Sequence, residues 1–349
     1  MKAGARSEST VLWVLWDFQM EINGGQIIRN ETNKNAMGGS ELIAMNLASR
    51  LDPDILKEYQ IVNSRVRDLD ETKLRIFLAH DLPGDPESEF LKNGGWDKFH
   101  RLVFVSNWQM QAYINYYQIP WSKCVVIQNA IDPIEEHEKP TDTIRLAYWS
   151  TPHRGLNILV PVFAKLCEKF DNIELDVYSS FKIYGWEERD KQFEELFNQC
   201  KNHPKINYHG SVPNEVIREN LKKTHILAYP STWPETSCIV LMEAMSAGLI
   251  CVHPNFAALP ETAANWTHMY QWQEDPNQHA ALFYSVLYQA IESLTSETDV
   301  ITMKTNSQVS YANVFYNWNA RVMQWNMFLS SMLNEPRELP KPTFTYKVG

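Results

Sequence analysis

The residues best able to do chemistry lie in one stretch, Tyr229 to Gly248, which reads YPSTWPETSCIVLMEAMSAG. Its pattern is a short strand, a tight loop flanked by prolines, and a helix that Gly248 stops. Glu235 stands at the helix entrance and Glu243 eight residues on. On an α-helix that spacing is about 12 Å along the axis and about 80° around it. The carboxylates are too far apart for a close acid pair, but they can hold two ends of one elongated ligand. The amides around Thr236, Ser237 and Cys238 would point out of the helix start and form an anion site. A nucleotide diphosphate-sugar fits this layout. Its pyrophosphate would meet the amides, its sugar hydroxyls Glu235 and its ribose hydroxyls Glu243, because an ionised carboxylate is a pure acceptor. The plainer alternative is a capping acid followed by a solvated helix glutamate. The small, apolar setting of Ala244 to Gly248 favours a buried helix instead, where a glutamate needs a partner.

Three further groups could serve such a ligand. Arg154-Gly155-Leu156 opens a helix, and a guanidinium there can fork onto phosphate oxygens and stabilise charge on a departing diphosphate. His80-Asp81 follows the strand-like run IFLA, which puts both residues at a strand's carboxyl end. Gly38-Gly39 precedes an amphipathic segment, and glycine permits close backbone approach or a positive φ. Most of the twelve tryptophans are expected in the core; Trp233, in the loop before Glu235, is the one placed to meet a sugar. The chain has no nucleophile elbow, no G-x-x-x-x-G-K-[ST] loop and no H-E-x-x-H helix.

These residues need a scaffold, and 349 residues suffice for about two domains. The chain is 44% hydrophobic and 21% charged, an ordinary globular composition. No apolar run reaches membrane-spanning length. A net charge of −10 without a basic stripe argues against nucleic acid and mildly against an anionic membrane surface. Five irregularly spaced cysteines and a polar Met1–Thr10 without a secretory core point to a cytoplasmic protein. The acceptor patterns Asn30-Glu31-Thr32 and Asn265-Trp266-Thr267 are then chance matches.

Strand-like runs are expected at Thr10–Trp16, Tyr59–Val62, Arg75–Ala79, Leu102–Val105 and Cys124–Ile127. Helices are expected over Ser40–Leu51 and Trp108–Tyr117, while Asp17–Met37 is too irregular for a helix. The charged, proline-bearing stretch Asp132–Asp142 reads as a linker. Alternation then restarts, with strands at Ile144–Trp149, Ile173–Tyr178, Ile206–Tyr208, His225–Tyr229 and Leu249–Val252. Helices fall over Leu156–Phe170, Glu187–Lys201, Glu215–Lys222 and Ser237–Ala247, and the chain beyond Pro276 is mainly helical. Two α/β units result, each with a parallel sheet, and ligands of such folds bind at the carboxyl ends of the strands.

Taken in order, these segments resemble glycosyltransferase family 4, the retaining transferases of GT-B fold. PETSCIVLMEAMSAGLICV is similar to that family's E-x7-E signature, and Met37 to Glu41 to its N-terminal glycine loop. Val105 to Trp108 resembles the v-S-x-w segment. Asn129 to Asp132 resembles the entry to the linker, with Ala130 where glycine is usual. His209 to Val212 resembles the turn under the base, and Ala257 to Glu261 the loop after the donor site. The resemblance implies two Rossmann-like doubly wound domains facing a central cleft. Residues 1–136 would present the acceptor and 137–308 bind the donor, while 309–349 carry a helix back to the first domain.

It further implies a donor site built from Gly38, Gly39, Arg154, Lys182, Val212, Tyr229, Glu235, Ser237, Cys238, Ile239 and Glu243. The catalytic residues would be Glu235, Arg154 and His80, with His80 positioning first and handling protons second. No metal and no cofactor are expected beyond the nucleotide-sugar itself, a UDP-sugar before a GDP-sugar. The partner would be a glycan or lipid-linked acceptor. The family carries two basic residues near the diphosphate. Here Arg154 takes the lysine position, Ser150-Thr151 stands where the other is expected, and Lys182 is the candidate substitute. The rival readings are a sugar-binding protein that kept the fold without the activity, and a nucleotide-sugar epimerase of the same fold, which should lack the two-glutamate helix.

Overall fold

The computed structural model describes residues 19–22, 25–28, 38–64, 68–296 and 298–339. The strand expected over Thr10–Trp16 lies outside them. The first unit contains β1 (Gln19–Ile22), β2 (Gly25–Ile28), α1 (Gly39–Arg50), α2 (Pro53–Leu56), β3 (Tyr59–Asn63) and β4 (Leu74–Ala79). It continues through β5 (Arg101–Phe104), α3 (Asn107–Tyr117) and β6 (Cys124–Val126). These strands form one sheet in chain order, β1 to β6. Every residue of β3 and β4 is buried, as expected for parallel strands covered on both faces. The described residues of Asp17–Met37 hold no helix, as expected, but two strands for which no expectation was given. These are β1 and β2, an antiparallel pair at the sheet edge. Strands of four residues are too short for periodicity to register.

The second unit is built from β7 (Ile144–Trp149), α4 (Leu156–Leu166), β8 (Ile173–Tyr178), α5 (Glu194–Asn202), β9 (Ile206–Tyr208), α6 (Asn214–Leu221) and β10 (Ile226–Ala228). It goes on to α7 (Ile239–Ser246), β11 (Ile250–Pro254), α8 (Leu259–Ala263), β12 (His268–Tyr270), α9 (Pro276–Ser296) and α10 (Thr298–Phe315). All six strands are parallel, in the order β12-β11-β10-β7-β8-β9. The chain leaves β7 towards β8 and later returns to lay β10 on its other side. The strand order therefore reverses between β7 and β10, and a crevice opens beyond their carboxyl ends. The helix expected over Glu187–Lys201 is two pieces, a 3-10 helix at Glu187–Phe193 and then α5.

The chain crosses between the units twice, and the crossings touch. Ile131 bridges Asn317, with the Ile131 amide donating to the Tyr316 carbonyl at 2.8 Å. Ser246 Oγ accepts from the Ile134 amide and donates to Asn313 Oδ1, tying the linker to α7 and α10. Helix α10 runs unbroken to Phe315, so the return crossing falls at residues 316–318 and not at 309. Helix α11 (Trp318–Met332) then packs Trp318, Trp325, Leu329 and Met332 among Ile43, Leu47, Ile76 and Val103 of the first unit. Burying each large side chain fully is worth about 1.5–3 kcal/mol. Beyond it, Arg101 forks onto Glu335, and Arg337 pairs with Glu58.

A second clasp crosses the cleft. Glu261 on α8 takes the amides of Asn107 and Trp108 at 2.9 and 3.1 Å, together with Asn107 Nδ2 and Gln128 Nε2. A carboxylate from one unit thus caps the positive end of α3 in the other. Glu261→Ala should lower the unfolding free energy by about 1–2 kcal/mol in urea titrations, the size of a lost cap. It should also increase the radius of gyration in solution scattering. Unchanged values for both would show that the clasp holds nothing.

Candidate active site

The crevice between β7 and β10 gathers the charged residues singled out above. Arg154 ends a short 3-10 turn after β7, and the next residue, Gly155, has φ +106°. A Cβ on Gly155 would stand 2.1 Å from the Pro230 carbonyl oxygen, so the loops after β7 and β10 pass in direct backbone contact. That contact brings Arg154 to Glu235. Arg154 Nη1 donates to both carboxylate oxygens, at 3.0 and 3.2 Å. Tyr229 Oη donates to Oε1 at 2.6 Å. The Arg154 and Glu235 side chains are 21% and 6% exposed. Burial weighs against the guanidinium's charge, but Glu235 beside it, with Tyr184 and Tyr229, prevails and holds its pKa above the ordinary value. Burial pushes the Tyr229 hydroxyl up, and Glu235 adds to the shift, so Tyr229 stays a donor.

Around this pair lie polar atoms that are buried and have no hydrogen-bond partner among the described residues. They are Arg154 Nε, His153 Nδ1, Thr151 Oγ1, Ser179 Oγ, Ser237 Oγ and, from the first unit, His80 Nε2. All but Ser237 follow directly on the carboxyl end of β7, β8 or β4, and Ser237 lies in the loop that leads from β10 into α7. A buried polar group without a partner costs about 1–3 kcal/mol, so a cluster of them at a crevice marks a place that binds something polar.

His80 immediately follows β4 and is buried. Its carbonyl accepts from Thr236 Oγ1 at 2.8 Å across the cleft. Burial lowers the imidazole to about 4, which leaves a neutral ring at neutral pH. His153 stacks on Phe181 at 5.2 Å and meets the edge of Trp233 at 5.0 Å. Burial first, then Arg154 and Arg189, lower it to about 4 as well. Trp233 therefore forms a half-exposed rim beside the pair.

Other expectations are modified. Helix α7 starts at Ile239, with Cys238 as its cap and Met242 making the first helical bond. The amides that open it are those of Ile239, Val240 and Leu241, two to three residues later than expected, because the proline-bracketed loop is longer than the pattern suggested. Cys238 is buried, and burial raises its thiol. Gly38 has φ −69°, so positive φ is not the reason for glycine there. A Cβ on Gly39 would lie 3.2 Å from Ile239 Cδ1, so close approach across the cleft is. Val212 is half-buried in the loop after β9 and packs on the second core. Lys182 is 63% exposed and pairs only loosely with Glu187, at 3.9 Å; no contact joins it to the Arg154–Glu235 pair.

Glu243 is buried mid-helix, as the apolar setting suggested, and its partners were not foreseen. Arg218 Nη1 and Asn214 Nδ2 of α6 donate to its Oε1 at 3.3 and 3.4 Å. The only sequence signal was the need of a buried glutamate for a partner, which gives no address. Among the described residues, no group of three or more His, Cys, Asp and Glu side chains could hold a metal ion. No described helix is long and apolar enough to cross a membrane.

Two sheets, the second wholly parallel and the first parallel except for its β1–β2 edge, face a cleft, with the charged site at the switch point of the second and a helix returned to the first. This is the GT-B architecture of nucleotide-sugar glycosyltransferases. Residues 134–287, within the second unit, match the family described as Glycosyl transferases group 1. A glycosyltransferase from Rickettsia africae ESF-5 superposes with a TM-score of 0.64 at 15% identity, covering 88% of this chain and 84% of that one. WaaG, a glycosyltransferase involved in lipopolysaccharide biosynthesis, gives 0.58 at 14% identity over 78% of each chain. Anabaena HepE in complex with UDP and glucose gives 0.58 at 15% over 84% of each. In sequence, the chain is 26% identical over 145 residues to a subunit of human phosphatidylinositol N-acetylglucosaminyltransferase. That alignment covers 39% of this chain and 28% of the human protein.

The neutral burial of His80 has a consequence for stability. Its pKa of about 4 lies below the ordinary 6.5, so unfolding takes up a proton between those values. The stabilisation is present above pH 6.5 and is lost as pH falls towards 4. His80→Gln should reduce the slope of stability against pH in that window by up to about 1.4 kcal/mol per pH unit, measured by urea unfolding at several pH values. An identical slope would mean that the ring is not held neutral.

Proposed function

We propose that the chain is a retaining glycosyltransferase that moves a hexose from a nucleoside diphosphate-sugar to a hydroxyl of a glycan or lipid-linked acceptor. A UDP-sugar is favoured over a GDP-sugar. The observation that carries this reading is the Arg154–Glu235 pair at the switch point, ringed by buried polar atoms with no protein partner among the described residues. UDP and glucose in a structure of the same fold, and N-acetylglucosaminyl transfer in the name of the human relative, support it.

The residues divide the work by charge. Arg154 is held by Glu235 through Nη1, which leaves Nε–H to meet a diphosphate oxygen. As the bond between the anomeric carbon and the diphosphate breaks, negative charge grows on the leaving oxygen, and a preorganised cation stabilises it. The opening amides of α7 act on the same group. Glu235 accepts from sugar hydroxyls, and the neutral His80 orients the sugar through Nε2. The acceptor hydroxyl adds on the face the diphosphate leaves, and its proton passes to that diphosphate, so no strong protein base is required. Glu243 receives the ribose hydroxyls. Closure of the two domains keeps water from the reacting carbon. The charge is handled by Arg154 and amides, so activity should persist in excess chelator; loss restored by magnesium or manganese would overturn that part.

Arg154→Ala should lower turnover by about a hundredfold, equivalent to about 3 kcal/mol. Arg154→Lys should recover only part, since lysine keeps the charge without the planar fork. Steady-state kinetics on variants shown to be folded by circular dichroism tests this. Near wild-type turnover for Arg154→Ala would move the phosphate contact elsewhere, with Lys182 the next residue to substitute.

A further inference from the structure

The guanidinium of Arg218 joins two places that the fold otherwise keeps apart. Nη1 donates to Glu243 Oε1 on α7, while Nη2 donates to the carbonyls of Asp132 and Pro133 in the interdomain linker at 2.8 and 3.2 Å. The side chain is 21% exposed and Glu243 only 5%. We propose that Arg218 is a positioning residue for the donor, locked by the linker carbonyls so that it presents Glu243 as an ionised acceptor to the ribose hydroxyls. This rests on the assignment of Glu243 to ribose made above.

The geometry gives the lock its logic. Arginine has five N–H donors in a rigid plane, so fixing one edge on two carbonyls fixes where the other edge points. The linker carbonyls cannot ionise or rotate away as a side chain can. The other edge meets Oε1, which leaves Oε2 without a contact from Arg218 or Asn214. Asn214 donates to the same oxygen from the first turn of α6, four residues before Arg218, so one face of one helix holds the carboxylate.

Electrostatics agree. Burial raises the Glu243 carboxyl above its ordinary range; Arg218 is the charged group that opposes the rise, and Asn214 is the neutral donor beside it. Without Arg218 the carboxyl would protonate at higher pH and lose its value as a double acceptor for a diol.

The test is equilibrium binding by calorimetry, using UDP, GDP and their 2′,3′-dideoxy counterparts, for wild type, Arg218→Met, Arg218→Lys and Glu243→Gln between pH 6 and 8.5. Wild type should bind UDP or GDP at least tenfold more tightly than the dideoxy form, with little dependence on pH. Arg218→Met should lose about tenfold near pH 6 and recover as pH rises, without changing dideoxy binding. Arg218→Lys should sit between, because it keeps a charge but cannot span both edges. Glu243→Gln should lose the preference for the ribo form at every pH. Melting temperatures establish that each variant is folded. Equal, pH-independent losses for the ribo and dideoxy ligands in Arg218→Met, or wild-type binding by that variant, would make Arg218 a merely structural residue and overturn the proposal. A wild-type protein indifferent to the ribose hydroxyls, or one that binds neither nucleotide, would instead overturn the assignment of Glu243 on which it stands.

Discussion

Placing a guanidinium out of water at the head of a parallel sheet sets terms for everything around it. An arginine remains charged, and a buried charge without a partner is strongly unfavourable. Arg154 follows β7, and its partner Glu235 lies beyond β10, 81 residues later. The two can meet only if β7 and β10 are neighbours and if both loops approach within backbone contact. The strand order provides the first condition and Gly155 against Pro230 the second. Tyr229 anchors the carboxylate from below, at the end of the strand that carries it. The pair adds little net stability by itself, because desolvation offsets most of the attraction. It fixes a geometry, and the Nε–H and surrounding polar atoms it leaves uncommitted give that geometry its chemistry.

The same physics explains what the sequence made legible. Apolar runs such as IRLAYW and IELDVY became strands at the limits read for them, since β-branched and aromatic clusters bounded by turns leave few alternatives. The two glutamates were visible because carboxylates stand out in an apolar helix. Partners chosen by tertiary folding were not. Arg218 sits on a polar helix with Glu215 and Glu219, where it looks like surface charge, and only the packing of α6 beside α7 turns it inward. Glu261 likewise looked like a loop residue, although its carboxylate spans the cleft to α3. The start of α7 was misplaced because Thr236 and Ser237 are good capping types, yet Thr236 spends its hydroxyl on His80 in the other domain.

The cleft is held at three kinds of contact with different stiffness. The glycine loop meets Ile239 by packing alone, Thr236 reaches His80 by one neutral hydrogen bond, and Glu261 caps α3 with a charge. Behind them the paired crossings at Ile131 and Asn317 form a narrow waist. Relative motion of the domains would keep the waist and exchange the contacts at the mouth, the arrangement expected of a hinge.

Helix α11 has a consequence for the order in which the molecule is completed. The core beneath α1 takes Trp318, Trp325, Leu329 and Met332 from the last part of the described chain. During synthesis at about 5–20 residues per second, roughly ten to forty seconds separate the first domain's last strand from the helix that covers it. Throughout that interval Ile43, Leu47 and Val103 face a surface meant for tryptophan. The second domain, whose parts are contiguous from β7 to α10, has no such wait. The domain made first is therefore the one whose apolar face is covered last.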